Sequence, residues 1–152
     1  MHQCLPPQNL LQQVLMWVSF YLSIHLSISK CLMEDELCTI VTEINRLLPQ
    51  LEVFITQFKA IVIDTGINVV SDTQGNMSID VPSSMTDSDA NKISARVGVI
   101  DRLITHNGTS INELFNKGLN IENSLKIKDP SYNSQLTSQI AKFKALNGSY
   151  KH

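Results

Sequence analysis

Apolar side chains recur at intervals of three and four residues through most of this chain. Leu37, Ile40, Val41, Ile44, Leu47 and Leu48 form the first such set. That spacing places them on one face of a helix, predicted over 33–48. Glu34, Asp35 and Glu36 fill its first turn, where the helix dipole favours anions. Pro49 follows, and proline interrupts a helix interior. Leu51, Phe54, Ile55, Phe58, Ile61 and Val62 then resume the spacing. Residues 50–63 therefore read as a second helix, or as a kinked continuation of the first, ended by Gly66.

The period next falls to two. Ile67 and Val69 alternate with polar residues, as do Met77, Ile79 and Val81, and the stretch between them is rich in turn formers. Residues 67–81 read as a β-hairpin closed by Pro82. A lone hairpin is marginal in water, so it must pack on the helices or pair with another chain.

Helical spacing returns at Ala90, Ile93, Val97, Ile100 and Ile104, preceded by Thr86 and Asp89 in a capping arrangement. His106-Asn107-Gly108 is a stop signal for this third helix. Ser110-x-x-Glu113 reads as a capping box for a fourth, carried by Ile111, Leu114, Phe115, Leu119, Glu122 and Leu125. Asp129-Pro130 supplies an N-cap and a first-turn proline for a fifth. Its stripe is Tyr132, Leu136, Ile140, Phe143 and Leu146, stopped by Asn147-Gly148. Each stripe reads as core packing, and no solenoid-length repeat is present.

The first 29 residues differ in kind, with no Lys, Arg, Asp or Glu. A helix of about 20 residues spans a bilayer, and residues 10–29 form an uncharged, largely apolar window of that length. Ser19, Ser23 and Ser27 put small residues on one face, which suits close helix approach in a membrane. A secretory signal is a second reading, with Ser27 and Ser29 before a cut at Lys30, although basic residues are missing from the N-terminal end. In a third reading Met33 opens the folded part, and residues 1–32 form an extra helix or a separable extension. The alternation of Leu22, Ile24, Leu26 and Ile28 also permits a strand.

Composition narrows the functional classes. Charged residues make up 17% of the chain, less than soluble domains usually carry, so solubility is expected to depend on a partner or an assembly. The net charge of −2 is unevenly spread. Acids dominate residues 34–89, and bases dominate residues 90–152. A basic C-terminal half could meet nucleic acid through Lys117, Lys126, Lys128, Lys142 and Lys144, but these lysines are dispersed and few aromatics accompany them. Cys4, Cys31 and Cys38 do not make a disulfide framework, and thiols in a reducing compartment are the simplest account. The three Asn-x-Ser/Thr triplets, at Asn76, Asn107 and Asn147, are no more than chance supplies.

One motif carries candidate chemistry. Ala60-Ile61-Val62-Ile63-Asp64-Thr65-Gly66 resembles the active-site signature of the retropepsin-type aspartic proteases. The resemblance implies an apolar strand delivering Asp64 into a loop shaped by Thr65 and Gly66, with two chains each supplying one aspartate to share a proton. Ile67 departs from the small residue that follows in that family. Asp-Thr-Gly also suits a helix exit into a turn. Separately, residues 48–58 are similar to the opening of the small membrane subunit eight of plant-type mitochondrial ATP synthases, but Lys59 and Asp64 interrupt the apolar run that follows there. His2, His25, His106 and His152 are scattered, so no metal site is indicated, and no phosphate loop, dinucleotide fingerprint or nucleophile elbow is present.

The expected architecture is mostly α: a small bundle of four to five short helices with one β-hairpin at about 67–81. An uncharged apolar segment, 1–32, precedes a helical domain with its hairpin insert, 33–152. The expected function is that of a non-catalytic interaction, assembly or structural subunit acting through amphipathic helix faces, with a protein partner or a second copy and no cofactor. Residues 10–29 would supply a membrane anchor. An aspartic protease using Asp64 and a nucleic-acid-binding module are the alternatives.

Overall fold

The computed structural model describes residues 21–74 and 76–150, with side-chain surroundings from Leu32 onward. Among these residues the chain is mostly helical, with three helices and one antiparallel hairpin. Helix α1 is Tyr21–Thr65, strands β1 and β2 are Asn68–Ser71 and Met77–Asp80, helix α2 is Asp87–Lys128 and helix α3 is Thr137–Tyr150. The expected count of four to five helices is corrected by two fusions.

The first fusion runs through Pro49, which lies inside α1. The missing N–H deprives the Asn45 carbonyl of its helical donor. Both Asn45 and Pro49 are exposed, so water can serve that carbonyl. An interior proline costs about 3 kcal/mol. Burial of each of Leu47, Leu48 and Leu51, all in the core, contributes about 1.5–3 kcal/mol and outweighs it. The stripe stays in phase across the proline, so the helix continues.

The second fusion runs through Asn107-Gly108, inside α2. Glycine in a helix costs about 1 kcal/mol relative to alanine, less than the burial of Ile104 and Ile111 on either side returns. Ser110 and Glu113 are therefore interior to α2 and form no capping box. Leu119, expected on the buried stripe, is exposed.

The ends of the elements follow local chemistry. Thr65 closes α1, and Gly66, at φ 69°, donates its N–H to the Val62 carbonyl at 3.1 Å. Only glycine takes up that left-handed backbone without strain. Thr86 caps α2, its Oγ1 accepting from Asp89 N at 3.2 Å, with Asp87 and Asp89 in the first turn and Lys126 and Lys128 in the last. Asp129-Pro130 starts a β-turn rather than α3. Tyr132 N donates to Asp129 O at 2.9 Å, and Asp129 Oδ1 accepts from Ser131 N at 3.1 Å and Ser131 Oγ at 2.6 Å. Helix α3 opens seven residues after Pro130 and runs past Asn147-Gly148 to Tyr150. Nor does a helix start at Met33, because α1 is already formed there, and 21–32 are helical rather than strand.

The hairpin occupies its expected place. Val69 pairs with Ile79 and Val70 with Ser78. Asp72 Oδ1 accepts from Gln74 N at 2.9 Å and Asn76 N at 2.8 Å, which shapes the turn.

These elements form two compact units. The first contains residues up to Leu48 together with Ile111–Ala145. Its buried residues include Leu37, Ile44, Ile111, Phe115, Leu125, Leu136 and Phe143, and the Phe115 and Phe143 rings meet edge to face at 5.5 Å. The second contains Pro49–Ser110 and the chain from Leu146. Leu51, Ile55, Phe58, Ile61, Ile67, Val97 and Ile104 are buried in it, and Tyr150 packs edge to face on Phe58 at 4.9 Å.

No helix among the described residues is long and apolar enough to cross a membrane. Most of the window 10–29 lies outside those residues, as does most of the segment 1–32.

Candidate functional site

The most developed polar arrangement is centred on Glu122, in the first unit. Glu122 occupies an apolar-stripe position of α2 and is 2% exposed. A buried carboxylate is costly unless donors surround it, and here three do. Oε2 accepts from the Tyr132 hydroxyl at 2.8 Å and from Gln135 N at 2.7 Å, and Oε1 accepts from Ser134 Oγ at 2.7 Å. Ser134 Oγ in turn accepts from Leu136 N at 3.1 Å. One side chain thus fixes the whole connector that leads into α3. Burial first, and the Glu122 carboxylate second, push the Tyr132 hydroxyl well above the ordinary phenol range. With its oxygens engaged by three donors, Glu122 is arranged to hold structure.

Four residues before Glu122, Gly118 is buried on the same face of α2. A Cβ there would lie 2.7 Å from Leu136 Cδ1 and 3.4 Å from Ile40 Cγ2. Gly118 and Glu122 thus receive the connector together, one by leaving space and the other by accepting hydrogen bonds.

In the second unit, the Tyr150 hydroxyl donates to Asp101 Oδ1. Burial, then the carboxylate, pushes this phenol up as well. Lys59 Nζ donates to Ser149 Oγ, beside Tyr150 at the same end of α3. Asn107 is 7% exposed, and its Nδ2 has no hydrogen-bond partner among the described residues.

The residues singled out in the sequence do not converge. Asp64 is exposed in the last turn of α1. Residues 60–65 are helical, not the strand that the retropepsin resemblance implies, and Thr65 Oγ1 donates back to the Ile61 carbonyl at 2.6 Å, as in a helix exit. Lys117, Lys126, Lys128, Lys142 and Lys144 are all exposed. Lys117 and Lys126 lie on opposite sides of α2, since nine residues at about 100° each amount to a half turn beyond two full ones. No group of His, Cys, Asp and Glu suited to a metal ion occurs among the described residues. Cys38 is disulfide-bonded, which corrects the expectation of a free thiol. The side chains of Cys4 and Cys31 lie outside the described residues.

Glu122 was legible as a stripe residue, but its role was not. Its signal is a charged residue where the spacing of Phe115 and Leu125 calls for an apolar one. The pairing of Asp101 with Tyr150 has no sequence signal, as 49 residues separate them.

Comparison with known protein families, with characterised proteins and with solved structures finds no match for this chain.

Proposed function

We propose that the protein is a non-catalytic interaction or assembly subunit that works through exposed apolar surface on its second unit. One observation carries this reading. Val99 and Leu103 stand one turn apart on α2 and are 48% and 40% exposed, forming an apolar pair on a helix face. Single exposed apolar residues are ordinary, whereas contiguous ones mark contact surfaces. Val53, Ile63, Val70 and Val81 of the same unit are exposed as well. The low charge of the chain supports the same reading, because a covered surface needs fewer charges to stay in solution. Residues 10–29 would hold the subunit at a membrane.

A photo-crosslinking residue placed at Leu103 tests the reading against one placed at Thr105, an exposed position on another side of α2. The expected result is one discrete adduct from position 103, either with a second copy or with a partner, which Val99→Asp abolishes while far-UV circular dichroism is unchanged. Equal, diffuse labelling from both positions would sink it.

A further inference from the structure

We propose that the free edge of β1 is a docking site for an extended, basic peptide segment of a partner protein, added as a third strand beside Asn68–Ser71. The inference rests on the interaction reading above and names the chemistry of one partner.

The backbone defines the site. Asp72 N donates to Asn76 O at 2.9 Å, and in an antiparallel ladder such pairs alternate. Residues 68, 70 and 72 therefore turn their N–H and C=O groups toward β2, while Val69 and Ser71 turn theirs outward. Among the described residues the sheet consists of β1 and β2, and no backbone bond reaches that outer row. An unpaired row of this kind templates an incoming strand through main-chain hydrogen bonds.

Side chains select the occupant. On the solvent face Val70 is 50% exposed, which offers an apolar contact to an alternating strand. Asn68 and Ser78 flank it, and Asp80 faces Asn68 across the ladder. Between Lys59 and Lys92 the chain holds five aspartates, at 64, 72, 80, 87 and 89, and no Lys or Arg. All five belong to the same unit. Asp72 follows β1 directly and Asp80 sits opposite Asn68, so pairing two copies edge to edge would add one hairpin's pair of acids to the other's, and like charges across an interface oppose association. A segment alternating Lys or Arg with Val or Ile complements the charge and the exposed valine at once. The second copy is thereby disfavoured, and a basic strand is the occupant that fits.

The test titrates the isotope-labelled full chain with a capped heptapeptide alternating Lys and Val, followed by amide NMR. The expected result is saturable shifts centred on Val69, Val70 and Ser71, with an affinity that weakens about tenfold or more as salt rises from about 50 to about 500 mM. The Glu-Val counterpart should leave these amides unmoved. Val70→Lys and Asp80→Lys should each weaken binding while the α1 and α2 amides keep their positions. Ser71→Pro removes an outward donor and is a second probe where the lysine variants disturb the hairpin. Shifts confined to α2 around Val99 and Leu103 would overturn the strand site and leave the broader interaction reading standing. Concentration-dependent shifts of Val69 and Ser71 without peptide would assign the edge to a second copy and overturn the basic partner. An absence of any shift would overturn the site outright.

Discussion

Leu136 occupies the space that a side chain at position 118 would need: its Cδ1 lies 2.7 Å from where a Cβ on Gly118 would sit. Gly118→Ala should therefore destabilise the protein, although alanine is the better helix former by about 1 kcal/mol. Overpacking of this kind costs about 1–3 kcal/mol, and the far end of Leu136 can relieve part of it. Urea denaturation of the single variants and of Gly118→Ala combined with Leu136→Ala should show the two changes to be non-additive, with the second methyl group partly accepted once Leu136 is shortened. Strict additivity would mean that the two positions do not share this space.

Removal of Glu122 should release the connector. Glu122→Ala removes the hydrogen bonds that the carboxylate accepts from Gln135 N, Ser134 Oγ and the Tyr132 hydroxyl, and each bond to a charged group is worth about 1.5–3 kcal/mol. Tyr132→Phe removes one bond to a charged group and should cost about 1.5–3 kcal/mol. Denaturant midpoints give the order Glu122→Ala worse than Tyr132→Phe, and the reverse order would show that the tyrosine has another main partner.

Alkaline pH should weaken the fold through two phenols, the buried Tyr132 and the half-buried Tyr150. Burial, then a carboxylate, raises Tyr132 and Tyr150 above the ordinary phenol range. Unfolded tyrosine ionises near pH 10. Above that point the unfolded chain has released protons that the native one still holds, so stability falls as pH rises. The contribution is fully present below about pH 10 and is lost as pH climbs toward the raised native values. Urea midpoints at about pH 8 and about pH 11 should fall less steeply in the double variant Tyr132→Phe, Tyr150→Phe than in the parent.

Two glycines distinguish a continuous α2 from two separate helices. No atom lies within 4 Å of a Cβ built on Gly108, and its φ is not positive. Gly108→Ala should stabilise the protein by about 0.5–1 kcal/mol. A helix ending there, with glycine in the left-handed position, would give the opposite sign, as expected at Gly66, where φ is 69°. Ser110→Ala should be near neutral, whereas Thr86→Ala should cost about 1 kcal/mol for a lost cap. Thermal unfolding of the four variants reads both contrasts.

The sequence pattern located the apolar stripes, the hairpin, the Thr86 cap and the Gly66 exit, because each depends on residues within one or two turns of one another. It failed at Pro49 and Asn107-Gly108, where the local preference for a break is outweighed by burial on both sides, a quantity that depends on what packs there. It placed α3 too early for a related reason. Asp129-Pro130 serves a turn as well as a helix start, and the choice is made by Glu122, which draws Tyr132, Ser134 and Gln135 to itself. The Glu122 cluster was half visible, as an acid among apolar positions. Its donors come from loop residues whose identities announce nothing on their own.

A buried carboxylate among apolar neighbours also bears on how many arrangements the chain can choose between. Leucines and isoleucines reward contact in almost any alignment, so a seam made of them alone tolerates sliding by a turn. Glu122 does not. Shifting the connector by even one residue would replace some of its three donors with carbonyls or hydrocarbon, and an unmet charge in that setting is among the most heavily penalised states a protein can enter. One acid thereby makes a single alignment of α3 distinguishable from its near neighbours, a selectivity that greasy packing of the same volume could not supply.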